Sequence, residues 1–346
     1  MYYSGIDVHK KYFISAVVDD RGQLLHKKRV STDRPAIRKY LEELKTLGPV
    51  KAVMEAGFNW SYLYDELAEE LEVVLAHPTK TRLIAEARIK TDELDAESLA
   101  HLLRTDLVAK AYAPSLATRD IKNLLRYRMF LVRIRTAIKN ATHAVLDRNH
   151  IEDTLWRAQT DKFGRVGMGL MKGLSLKGND TAILKGYIEL IEDLTRRIKE
   201  LDGRIKGLVK EDEVTLRLRT IPGIGNILAL LVRYEIDDPE RFTTPGKLAS
   251  YAGLVPSLYS SGGKSYYGKI TKQGNRWLRW AMTEAAQVAS AVSPSLGSYY
   301  QKVKARRGAN TATIALARNL LEIVYYVWKE KRPYFEKAHD QAVALV

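Results

Sequence analysis

Two aspartates, Asp92 and Asp95, stand three apart in the stretch IKTDELDAE. On a helix that spacing puts both carboxylates on one face, with Cβ atoms roughly 5–6 Å apart, where like charges repel. Either they form an ordinary solvated face or a cation sits between them. Two further acids bear on the choice. Asp7 lies in the strand-like run SGIDVHKKYFISAVVDD, and Glu55 sits near the end of KAVMEA. A charged carboxylate in an apolar strand is costly unless a cation or hydrogen-bond donors satisfy it. Adjacent strand ends and one helix face can gather four such carboxylates around hard divalent ions. Magnesium or manganese suits oxygen-only ligands, and phosphoryl-transfer sites hold two metals about 3.5–4 Å apart. Taken singly, each acid has the plainer reading of a surface or N-cap residue. The order Asp, Glu, Asp-x-x-Asp along a strand and helix succession carries the specificity.

A second place for chemistry is YSSGGKSYYGKITKQGNRWLR, where Ser260 and Ser261 precede two glycines and then Lys264, Lys269, Lys272, Arg276 and Arg279. A serine hydroxyl attacks phosphate only with help from a base, a metal or focused positive charge. Cations are abundant here, although neither His143 nor His150 is local. The plainer reading is a flexible basic loop that clamps phosphates. Tyr259, Tyr266 and Tyr267 are rival nucleophiles or platforms on which bases stack.

The elements that must position the acids read as an α/β layer: three strands, helix, strand, helix, strand, helix. RPAIRKYLEELKTLG has its proline near the start and Gly48 after the end, as a helix should. A long helix from Lys80 to about Leu107 is expected to carry Asp92 and Asp95. An actin-like ATPase also opens on a strand with an acid close to phosphate. That fold needs a second glycine-rich phosphate loop, for which MEAGFNW is a poor substitute.

Beyond residue 114 the pattern turns helical. Leu124, Tyr127, Leu131, Ile134, Ile138, Ala141 and Val145 alternate steps of three and four, as do Leu184, Tyr187, Ile191, Leu194, Ile198, Leu201, Ile205 and Leu208. Such heptads are a coiled-coil signature over 115–215, with a glycine-bearing tip at about 149–180. An intramolecular antiparallel hairpin and an intermolecular coil fit equally well. The first helix carries Arg119, Lys122, Arg126, Arg128, Arg133, Arg135, Lys139 and Arg148 against Asp120 and Asp147. That one-signed face suggests nucleic-acid contact. In 216–346, Pro222-Gly223-Ile224-Gly225 joins two helices, either as a phosphate-facing helix-hairpin-helix turn or as a plain interhelical turn.

Composition agrees with a polyanionic partner. The 346 residues carry a formal charge of +15. Residues 1–114 hold 17 Lys and Arg against 18 Asp and Glu, whereas residues 115–346 hold 39 against 23. Metal chemistry and nucleic-acid grip are thus expected in different parts of the chain. With no cysteine, disulfides, zinc-thiolate sites and Cys nucleophiles are excluded. The absence of a signal-like apolar core at the start, or of a membrane-length apolar run, predicts a soluble cytoplasmic protein.

GIDVHKK, MEAGFNW, KTDELDAESLAHLLR, IPGIG, LASYAGLVPSLYSSGGK and ITKQGNRWLR, in that order, resemble the DEDD transposases of the insertion-sequence one-hundred-ten type, relatives of the pilin-inverting recombinase. The resemblance spans nearly the whole chain. It implies a ribonuclease-H-like, Holliday-junction-resolvase-like domain over 1–114, with Asp7, Glu55, Asp92 and Asp95 as a magnesium-binding tetrad. It implies a transposase domain over 216–346 whose nucleophile, aligned through YAGLVPSLYSSG, is Ser261, with Ser260 in the intervening position. It further implies a covalent phosphoserine intermediate, sites shared between protomers of dimers that pair into a tetramer, and a structured noncoding bridge RNA that selects donor and target double-stranded DNA in a prokaryotic, nucleoid-associated setting. The main rival is a junction-resolvase-like metal endonuclease whose C-terminal half only binds DNA; a non-enzymatic nucleic-acid scaffold is the third class.

Overall fold

The computed structural model describes residues 1–57, 60–84, 91–151, 158–261 and 264–336; the side chains at 82–84, 211, 261, 264, 265 and 267 lie outside that description. The chain divides into two compact units, Met1–Pro114 and Ser115–Val346. The first is mixed α/β and the second mostly helical.

The first unit is built on a five-stranded sheet in the order β3-β2-β1-β4-β5. β1 (Tyr2–Val8), β2 (Tyr12–Val18) and β3 (Leu24–Ser31) run antiparallel. β4 (Val50–Glu55) pairs parallel with β1, and β5 (Glu72–Ala76) parallel with β4. The run YFISAVV in β2 is buried from Phe13 to Val18 without alternation, as a strand covered on both faces requires. Helix α1 (Arg34–Leu47) starts where Asp33 accepts the Ala36 N–H at 3.0 Å and buries Ile37, Tyr40, Leu41 and Leu44. Those four positions, at steps of three, one and three, make one apolar stripe. With α2 (Trp60–Ala68) it encloses a core around Ile6, Phe13, Met54, Leu63 and Leu75.

The single helix expected from Lys80 to Leu107 is interrupted. After α3 (Pro78–Ile84) the chain restarts as α4 (Asp92–Arg104), while residues 85–90 of that expectation lie outside the described residues. The break has a local cause. Thr91 is extended (φ −136°, ψ 151°) and its hydroxyl accepts the Leu94 N–H at 3.2 Å, so it caps a new helix rather than continuing an old one.

The second unit begins with α5 (Leu116–Arg148), α6 (Arg165–Lys172) and α7 (Asp180–Glu211). Arg128 meets Asp202, Arg135 meets Thr195 and Arg148 meets Asp180, so α5 and α7 run antiparallel within one chain. Between them lie Leu131, Leu194, Ile198 and Leu201, and at the tip Val145, Leu184 and Ile191 pack with Met168 and Met171 of α6. The stripe differs from the heptad reading at the base: Tyr127 is exposed and Leu125 is fully buried. There α5 and α7 together enter the main core of this unit, where Leu125 joins Ile205 and Val209.

That core is closed by α8 (Glu213–Leu218), α9 (Asn226–Ile236), α10 (Pro245–Tyr251), α11 (Arg276–Val292), α12 (Pro294–Arg307) and α13 (Ala309–Lys329). Ile221 and Ile224, on either side of the Pro222-Gly223 turn, are buried in it. Between α10 and α11, where the sequence suggests a flexible loop, β6 (Pro256–Ser261) and β7 (Lys264–Ile270) form an antiparallel hairpin. Among the described residues, no helix is long and apolar enough to cross a membrane.

Candidate functional site

Asp7 lies near the end of β1, and Ile6 just before it is registered against Met54 of β4. Glu55 directly follows Met54, so the two acids occupy neighbouring strand ends, as the α/β layer predicts. Helix α4 brings the other two. It lies against β1 and β2 at a distance only glycine permits. A Cβ on Gly5 would stand 2.0 Å from the Ala96 carbonyl oxygen and 2.4 Å from the Ala100 nitrogen, far inside contact distance. The glycine two residues before Asp7 therefore lets the first turn of α4, with Asp92, Glu93 and Asp95, reach the end of β1.

At that end Asp7, His9 and Asp92 each offer a ligand atom within 4.8 Å of one another. The His9 Nε2 is 3.0 Å from Asp7 Oδ2 and 3.0 Å from Asp92 Oδ2. The Tyr12 hydroxyl donates to Asp92 Oδ2 at 3.5 Å. Burial pushes the Asp7 carboxyl above its ordinary range. His9 pulls it back, and the nearby Asp92 and Asp95 charges push it up again. Asp95 is thus close enough to act on Asp7 electrostatically, though neither it nor Glu55 is part of the three-residue group. Two carboxylate oxygens with a third acid near them fit a hard divalent cation, which would remove the repulsion they share.

His9 escaped the sequence reading, which sought carboxylates alone. Its signal was present: two residues past Asp7 along a strand is the spacing that returns to the same side.

The second candidate sits on the β6–β7 hairpin. Its base is stitched by the motifs flanking it. The Asn275 N–H donates to the Tyr251 carbonyl at 2.7 Å, the Thr271 N–H to the Val255 carbonyl at 2.9 Å, and Arg279 Nη1 to the Ala252 carbonyl at 2.8 Å. Gly274, at φ +108°, faces the Tyr251 carbonyl so closely that a Cβ would be 2.2 Å from it. Ser260 and Ser261 are successive register positions, paired with Ser265 and Lys264. The side chains of Ser261 and Lys264 lie outside the described residues. Tyr259 and Tyr266, directly opposite each other, are exposed.

The basic residues expected to meet nucleic acid separate into two groups. Lys122 is buried, and with Arg126 it is engaged by the fully buried Glu235, at 3.2 and 2.7 Å. Arg128 is paired with Asp202 at 2.9 Å, and Arg279 is turned inward to its carbonyl. For Lys122 above all, the expectation is corrected: its charge is neutralised inside the protein. Arg133, Lys269, Lys272 and Arg276 are exposed, and Arg119, Arg135 and Lys139 are half-buried. Lys139 lies 4.7 Å over the Phe163 ring.

Comparison with known proteins bears on both candidates. Residues 4–151 match the DEDD-type IS110 transposase family, and residues 216–301 match the family described as Transposase IS116/IS110/IS902. The transposase for insertion sequence element IS1111A of Coxiella burnetii is 24% identical over 337 residues, covering 95% of this chain and 90% of that protein. A probable family 20 transposase of Pseudomonas aeruginosa is 26% identical, covering 95% and 97%. The pilin gene-inverting protein of Moraxella lacunata is 31% identical over 150 residues, covering 41% and 47%. By class, then, the chain is a transposase. It belongs to the IS110/IS116/IS902 family, whose DEDD domain is ribonuclease-H-like and points to dependence on divalent metal.

Proposed function

We propose that this transposase cuts and rejoins DNA through Ser261, with Asp7, Glu55, Asp92 and Asp95 holding magnesium or manganese. The observation that supports the reading best is the convergence of Asp7 and Asp92, far apart in the chain, with their carboxylate oxygens each 3.0 Å from one imidazole nitrogen. A divalent ion held by these carboxylates would supply charge stabilisation at the phosphodiester oxygens. The carboxylates orient the ion. The Ser261 oxygen forms a bond to phosphorus as the bridging P–O bond of the strand breaks, and the departing oxygen takes up a proton. A hydroxyl at another strand end then reverses the step and frees the serine.

Partner choice follows from the family resemblance and from charge. Arg133, Lys269, Lys272 and Arg276 are exposed cations suited to phosphate backbones, which fix position without reading bases. A structured guide RNA would then select donor and target double-stranded DNA by pairing. The chain would work as dimers joined into a tetramer, with the serine and the carboxylates contributed across protomers.

The test is a denaturing gel of full-length protein incubated with guide RNA, magnesium and both DNA partners. Wild type is expected to give a covalent protein–DNA adduct and exchanged strands. Ser261→Ala should give neither, and Asp92→Asn should give neither although its serine is intact. Should Ser261→Ala and Ser260→Ala both cut DNA as wild type does, with no covalent adduct from any of the three proteins, the protein is instead a resolvase-like nuclease. If Ser260 is the nucleophile, Ser260→Ala rather than Ser261→Ala abolishes the adduct.

A further inference from the structure

His9 contributes the nitrogen in a group otherwise made of carboxylate oxygens, and its position is well determined. The His9 backbone N–H donates to the Tyr12 backbone carbonyl at 2.9 Å across the β1–β2 connection. Its ring stacks on Tyr12, with centroids 4.5 Å apart and planes 26° from parallel. The Arg29 guanidinium lies 3.6 Å from the centroid of the same Tyr12 ring. Arg29, Tyr12 and His9 therefore form a small stack, two of whose members also touch Asp92.

The two distances made by Nε2 carry a further meaning. Neighbouring ligands on an octahedral ion with bonds of about 2.1 Å are separated by about 3.0 Å, the bond length multiplied by the square root of two. Nε2 stands at 3.0 Å from Asp7 Oδ2 and again from Asp92 Oδ2. While Nε2 carries a proton the same 3.0 Å is an ordinary hydrogen bond; without it, the nitrogen stands at the separation that adjacent ligands of one shared ion have. We propose that His9 ligates the ion held by Asp7 and Asp92 through Nε2, and that this nitrogen tilts the site toward first-row transition ions over magnesium. Magnesium favours oxygen donors and retained waters, whereas an imidazole nitrogen strengthens binding of the transition ions. The proposal rests on reading these acids as a metal site.

Manganese is the probe. Full-length protein loaded with Mn²⁺ is examined by electron spin echo envelope modulation, which detects nitrogen bonded to the ion, and Mn²⁺ and Mg²⁺ affinities are measured by calorimetry. Wild type should show nitrogen coupling that changes on ¹⁵N-histidine labelling. His9→Ala and His9→Gln should both lose it, the second although glutamine still donates hydrogen bonds to the acids. Each variant should bind Mn²⁺ at least about tenfold more weakly, with magnesium affinity little changed. Manganese bound without nitrogen coupling, or bound equally tightly by both variants while Asp7→Asn loses it, overturns the ligand assignment and leaves the carboxylate site standing. Binding unaffected by Asp7→Asn overturns both.

Discussion

Glu235 and Asp7 are carboxylates withdrawn from water, and the protein surrounds them oppositely. Glu235 lies fully buried on α9. Burial, the largest influence, works against its charge, but Arg126 at 2.7 and 2.8 Å, Lys122 at 3.2 Å and Asn275 at 2.7 Å outweigh it and hold its pKa below the ordinary range. Around Asp7, among the described residues, one imidazole donates, and burial first, then the neighbouring charges of Asp92 and Asp95, move its pKa up. One acid is satisfied by two permanent cations of α5 and by Asn275, the cap of α11, and its role is structural. The other, among the described residues, sits with two further acids and one imidazole, the condition of a site that takes its cation from solution.

The contrast is open to breaking in several ways. The largest effect is expected from Glu235→Ala, which strands Lys122 and Arg126 beside an apolar core and should cost about 3–5 kcal/mol in denaturant unfolding of the second unit. Gly5→Ala comes next. The new methyl must push α4 off β1, at a cost of about 1–3 kcal/mol, and metal affinity should fall with stability because Asp92 moves away from Asp7. Acid sensitivity is a smaller effect. Arg148 and Asn149 hold Asp180 at about 2, below its ordinary 3.8. Its folded pKa being depressed, this contribution is complete above the ordinary value and is lost as pH falls toward 2. A melting-temperature series from pH 5 to pH 2 should therefore flatten in Asp180→Asn. Asp7→Asn should change stability least, and in chelator its melting temperature should stay level or rise, because the variant removes repulsion. A loss as large as that of Glu235→Ala would erase the distinction.

The sequence made much of the first unit readable because strand and helix signals alternate cleanly there. Proline and glycine punctuate α1 as expected, and Asp7 and Glu55 fall at neighbouring strand ends. Thr91 was harder, since its signal, a threonine just ahead of Asp92 and Glu93, sits inside a run of helix formers. In the second unit the heptads gave both long helices yet misplaced Tyr127 and Leu125, because at that end of the pair further helices pack against α5 and α7. Three cations of the basic face of α5, Lys122, Arg126 and Arg128, were read without their acids for a related reason. Arg126 finds its acid 109 residues away, and only the folded core reveals that Glu235 neutralises it. The β6–β7 hairpin had a readable signal in the glycine pair between tyrosine-rich runs, but lysine density favoured a loop.

Calorimetric titration of magnesium into the full-length protein, wild type against Asp92→Asn, tests the acid site around Asp7 most directly. Saturable binding by wild type that is lost in Asp92→Asn, with both proteins melting alike in chelator, is the result this account predicts. Equal binding by the two proteins would contradict it.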